Sequence, residues 1–145
     1  MDYCTVDDVK DVLRVFREDF EALNIPDSII ERAIDDGTLN AKLALTPKYE
    51  LDSLESDLPF AVNRFATLAS AKSLIMRVGL MSTDKDKNII GIISDELNIY
   101  RKYIQHGLLV DDSNNQIAVK KRTILRKSID SSELDDFFEG GNRII

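Results

Sequence analysis

Apolar residues recur at helical spacing through residues 59–81, at Ala61, Phe65, Leu68, Ala69, Ile75, Met76 and Val78. That spacing predicts a long helix. Asn63, Thr67, Ser70 and Arg77 fall together on a narrower polar strip of the same helix. Small side chains cluster in its middle, at Ala66, Ala69, Ser70, Ala71 and Ser73. Small side chains let neighbouring helices approach closely, so the pattern predicts a central helix touched on several sides. Each large apolar side chain buried on it contributes roughly 1.5–3 kcal/mol. The polar strip and the charges Arg64, Lys72 and Arg77 argue against a membrane span.

The rest of the chain reads as shorter elements around this helix. Thr5 followed by Asp8 is a variant of the capping box, with Asp in place of Glu. Val9, Val12, Leu13, Phe16, Phe20 and Leu23 then predict a first helix over about residues 6–22, with a break near Arg17 and Glu18. Pro26 stands at the start of a second helix marked by Ile29, Ile30, Ala33, Ile34, Ala41 and Ala44. Gly37 inside it marks a close helix crossing or a bend. Residues 46–58 hold Pro47, four acids and two serines and read as an exposed contact loop, with Asp57 as N-cap of the central helix. Gly79 with Ser82 and Thr83 ends that helix. The next helix, about residues 85–105, carries the stripe Ile89, Ile93, Leu97, Tyr100 and Ile104 with Ile92, Ile99 and Tyr103 beside it. So wide an apolar arc predicts burial on more than one side.

Beyond His106 and Gly107 the pattern changes. Leu108 to Val110, a polar turn at residues 111–115 and residues 116–120 read as a short hairpin. Basic residues at 120–122 and 126–127 flank Thr123, Ile124 and Leu125, and residues 130–139 are acidic with Leu134, Phe137 and Phe138 at helical spacing. Isolated apolar anchors among alternating charges do not make a core, so this reads as an arm that folds on a partner. The predicted fold is mainly α: a bundle of about four helices over residues 1–106, then a short β-hairpin and an extended C-terminal arm over residues 107–145.

At 145 residues, 43% of them apolar, the chain suits one domain with tails. Its start is polar and acidic, without the apolar run of a signal peptide. The single cysteine, Cys4, excludes an internal disulfide and fits a reducing cytoplasm. The net charge of −7 is unevenly spread: −9 over residues 1–58, +6 over 59–127 and −4 over 128–145. An acidic head and a basic middle suit docking between copies or onto a charged partner, though a mixed solvated surface accounts for the same charges.

Chemistry is sparse. His106 is the only histidine and lies far along the chain from Cys4, so a nucleophile with a base nearby is not evident, and Cys/His zinc binding fails by count. Residues 84–88 resemble a calcium loop only superficially: Ile89 stands where Gly is needed and two lysines oppose a cation. They read as a helix start, and residues 111–115 as a turn. Gly140-Gly141 lacks the Lys-Ser/Thr that a phosphate loop requires. The basic residues at 120–127 sit beside an acidic stretch, without a recognition helix for DNA. The residues imply neither a cofactor nor catalysis.

The order of parts is similar to that of the head–tail connector (adaptor) proteins of tailed bacteriophages. Those proteins open with an acidic helix-starting segment like residues 3–15, followed by a second helix like residues 27–45. A loop ending in a Leu-Pro pair, here Leu58-Pro59, precedes a long Ala-rich helix like residues 61–78 and then another helix. The likeness covers about residues 1–105 and is one of pattern and helix order.

The resemblance implies a non-enzymatic virion protein that forms a ring, commonly of about twelve copies, beneath the portal in the neck of the particle. Such a ring joins head to tail and extends the channel for DNA ejection. Its partners would be copies of itself, the portal protein and tail completion or tail terminator proteins, with non-specific proximity to viral DNA and no membrane. It would be made in the host cytoplasm. Family members often grip the portal through a C-terminal segment. Here that implies apolar contacts from Leu134, Phe137, Phe138, Ile144 and Ile145 and charged ones from Arg122, Arg126 and Lys127. Two other readings stay open: a cytoplasmic helical adaptor or regulator that binds a partner through its arm, and a small enzyme or nucleic-acid-binding regulator.

Overall fold

The computed structural model describes residues 1–79 and 84–120. The fold is mainly helical. Five α-helices order the described residues: α1 (Val6–Phe16), α2 (Asp27–Leu45), α3 (Leu51–Glu55), α4 (Phe60–Arg77) and α5 (Asp84–Gln105). A 3-10 turn at Phe20–Leu23 joins α1 to α2.

The first helix starts where the sequence says it should. Thr5 Oγ1 accepts from the Asp8 N–H at 3.2 Å while Asp8 Oδ2 accepts from the Thr5 N–H at 2.9 Å, closing the capping box. It breaks where expected, ending at Phe16: Arg17 turns extended and the chain re-forms as the 3-10 turn that buries Phe20. Pro26 is the N-cap of α2.

Helix α4 is the centre of the bundle and packs against α1, α2 and α5. Its buried residues surround the axis, from Val62, Phe65 and Leu68 to Thr67, Ser70 and Ala71. The middle of the polar strip, Thr67 and Ser70, is therefore buried, while Asn63 is half-buried and Arg77 exposed. Thr67 and Ser70 hydroxyls donate back to the carbonyls of Asn63 and Ala66 at 2.8 and 2.7 Å, so they enter the core with their hydrogen bonds already made. The crossing of α2 over α4 is close at Gly37. A Cβ there would stand 2.0 Å from Ser70 Oγ and 2.6 Å from the Ala66 carbonyl oxygen. The expectation of a close crossing is met. Gly79, at φ +72, follows the Val78 C-cap and ends α4 in the left-handed conformation that glycine adopts freely.

Several expectations are corrected. Residues 46–58 do not form an exposed loop: they contain α3, and Tyr49 and Leu54 are buried in the core. Asp57 does not cap α4; Pro59 holds the N-cap position in an extended conformation with no side-chain cap. Met76, counted on the apolar face, is 56% exposed. The wide arc of α5 is buried on one side alone, through Ile89, Ile93, Leu97 and Ile104, while Ile92, Ile99 and Tyr103 are exposed.

The β-hairpin is absent as well. Among the described residues it reduces to a single antiparallel bridge between Val110 and Gln116. Asp111 Oδ1 accepts from the Ser113 and Asn115 N–H groups, each at 2.9 Å, and Asn114 turns left-handed at φ 61. The flanking groups then find other partners: the Gln116 side chain bonds the Gly107 carbonyl and the Lys120 N–H bonds the Lys48 carbonyl. The pairing goes no further than the Asp111 N–H on the Asn115 carbonyl and the Ile117 N–H on the Leu109 carbonyl, at 2.9 and 2.8 Å. Leu109 is buried, and its N–H donates to the Tyr49 hydroxyl at 3.2 Å, so this segment is seated on the bundle.

Candidate functional site

The eight residues predicted to contact a partner (Arg122, Arg126, Lys127, Leu134, Phe137, Phe138, Ile144 and Ile145) lie outside the described residues. The two residues with nucleophile or base chemistry are not brought together. Cys4 is buried beside Ser70, Sγ to Oγ 3.5 Å, and burial pushes its thiol above the usual range. His106 is exposed just past α5. The calcium-like stretch is the first turn of α5, where the buried Asp86 carboxylate meets Arg17 at 3.1 Å. Among the described residues, no group of three or more His, Cys, Asp or Glu is placed to hold a metal ion. Nor is any helix there long and apolar enough to cross a membrane.

What the fold does build is surface relief around α4 and α5. On one flank, α1 and α4 enclose a groove of about 330 Å³ lined by Val12, Val15, Phe16, Phe60 and Arg64, with Asp8 and Asp11 at its rim. Val15 and Phe60 are exposed by 80% and 69%, so they are the apolar edge that this groove offers. Beside it, an N-terminal cleft carries Asp2, Asp8, Glu31 and Asp35, so this end of the bundle is acidic.

On the other flank, α2, α4 and α5 enclose a larger groove of about 680 Å³. Leu39 and Met76 supply exposed apolar surface, and Lys72, Arg77 and Arg101 set a basic character against the single carboxylate of Asp36. Arg77 reaches Asp36 Oδ2 through Nε at 3.0 Å and Nη2 at 2.6 Å, and Ser73 donates to the same oxygen at 2.7 Å. Those bonds hold the Asp36 carboxyl below the usual carboxylate range. The Arg101 guanidinium stands over the Phe65 ring, 5.6 Å from its centroid.

Helix α5 separates the two grooves. Its Glu96 meets Arg64 at 3.0 Å on the first flank, while its Leu97 and Arg101 line the second. Between them Ile92, Ile99 and Tyr103 share one helix face and remain exposed, with Lys102 alongside. Sequence periodicity missed these surfaces because it reports which residues are apolar, not which of them another element covers. One signal was available: Leu39 lies off the Ile30, Ile34 and Ala41 stripe that marks the buried face of α2.

Compared with known proteins, the chain matches no family model, no curated protein and no solved structure.

Proposed function

We propose that the chain is a non-catalytic virion structural protein, a head–tail connector that assembles head to tail into a ring beneath the portal, joins head to tail and extends the DNA channel. One observation carries the reading: the bundle keeps large apolar side chains exposed on two unlike faces. The α1–α4 face joins Val15 and Phe60 to the acids Asp8 and Asp11. The α5 face joins Ile92, Ile99 and Tyr103 to the mixed charges Asp95, Glu96 and Lys102. Contiguous exposed apolar surface marks interaction sites. Two unlike faces suit a heterologous contact, and such contacts close into rings when the rotation permits.

The helix order supports the same reading, as does the division of charge between an acidic residue 1–58 segment and a basic residue 59–127 segment. Many modest contacts around a ring give avidity without any one strong interface. In this reading the arm beyond residue 120 reaches the portal, and the protein resides in the neck of the virion.

The test is the mass of the full chain in solution, alone and mixed with a portal protein. Assembly into a ring of about twelve copies, alone or on the portal, is the expected result. A chain that stays monomeric and ignores the portal would instead favour an adaptor that binds a different protein through its arm.

A further inference from the structure

We propose that in the free chain, before any partner takes up the arm, residues 130–139 of the same chain occupy the groove between α2, α4 and α5. Three observations support this occupant. The first is charge. Lys72, Arg77 and Arg101 face one carboxylate in the groove, and that carboxylate, Asp36, is already bonded to Arg77 and Ser73. The groove is thus a cationic surface in need of acid. Residues 130–139 carry five acids and no base.

The second is apolar fit. Leu39 and Met76 are exposed by 57% and 56% within the groove, and no described residue covers them. Leu134, Phe137 and Phe138 in the segment stand at spacings of three and four, which place side chains on one face in a helix. A segment that carries both acids and apolar side chains matches a groove that offers both basic and apolar ones.

The third is reach. The described chain ends at Lys120, whose N–H is held by the Lys48 carbonyl just past α2. Lys48 is eight positions beyond Asn40 in the groove lining, on the order of 12 Å at helical rise. Residues 121–129 span up to roughly 30 Å when extended, so the connection is long enough. A tether of that length keeps the segment at high effective concentration near its own groove.

The assignment stands or falls separately from the connector reading, because its test uses the isolated chain. The sequence contains no tryptophan, so a single one is a clean reporter. Met76→Trp places it in this groove and Val15→Trp places it in the α1–α4 groove; both positions are exposed and tolerate the larger ring. Each is made in the full chain with the natural tail and with Phe137→Asp/Phe138→Asp, circular dichroism confirming that all four fold alike. The expected result concerns the Met76→Trp reporter: the tail substitutions shift its emission to the red and raise its quenching by acrylamide, at every protein concentration. The Val15→Trp reporter should not respond to them. No change at position 76, or an equal change at position 15, overturns the assignment. Shielding of position 76 that grows with protein concentration also overturns it, since the groove then receives a second copy.

Discussion

Two glycines in helices predict opposite outcomes for the same substitution. Gly37 meets backbone on α4, so the methyl of Gly37→Ala has to push two helices apart, and overpacking of this kind costs about 1–3 kcal/mol or more. Removing the nearest atom with Ser70→Ala does not cure it, because the Ala66 carbonyl oxygen still lies 2.6 Å from the new Cβ. Gly91 on α5 has nothing within 4 Å of that position and is exposed, so Gly91→Ala stabilises by about 1 kcal/mol through helix propensity. Urea midpoints of the single and double variants read both signs; a neutral Gly37→Ala would mean that the helices cross less closely than described. Asp36 adds a pH dependence. Its carboxyl is depressed in the fold by Arg77 and Ser73, so its contribution is present above the unfolded carboxylate range and is lost as pH falls through the lower folded value. The pair is two-fifths exposed, which limits the effect to about 0.2–1 kcal/mol. Asp36→Asn should therefore flatten the acid limb of the stability curve, and an unchanged limb would remove Asp36 as its cause.

Among the elements, the segment after α5 is held to the bundle by the Tyr49 phenol, by buried Leu109 and by the Lys120 N–H on the Lys48 carbonyl. Tyr49 is buried at the end of α2 and accepts the Leu109 N–H, while Leu109 itself fills the core. Tyr49→Phe leaves that N–H buried without its acceptor, at a cost of about 1–3 kcal/mol. Hydrogen exchange should localise the loss to residues 107–120; protection unchanged there would show that Tyr49 does not hold the segment. The sequence made long elements legible and short ones obscure, for physical reasons. Helix α2 and helix α4 repeat apolar residues over many turns, and their extent follows from that repetition. Tyr49 and Leu54 sit in a stretch dominated by Pro47, acids and serines, where two anchors make no period. Thr67 and Ser70 look solvent-facing by polarity, yet their hydroxyls are satisfied within their own helix, which removes the penalty for burying them. The hairpin reading failed because alternation alone does not say that the Leu109 and Lys120 N–H groups will donate to Tyr49 and Lys48 of the bundle.

For the whole molecule, the connector reading requires that the α1–α4 face of one copy meet the α5 face of the next. Val15→Asp and Ile99→Asp each place a charge on one face at an exposed position, so each leaves the fold intact to within about 0.5 kcal/mol. Either substitution alone spoils every contact in a ring built from identical copies. The two variants together behave differently. A chain with a damaged α1–α4 face still offers an intact α5 face, and its counterpart offers the reverse. One sound contact can therefore form between them, but the outer faces of that pair are both damaged and growth stops. Under conditions where the natural chain assembles, each variant alone should remain monomeric and an equal mixture should yield dimers and nothing larger. Light scattering distinguishes these masses directly. Rings from either variant, or a mixture that remains wholly monomeric, would mean that these two faces do not meet across the subunit boundary.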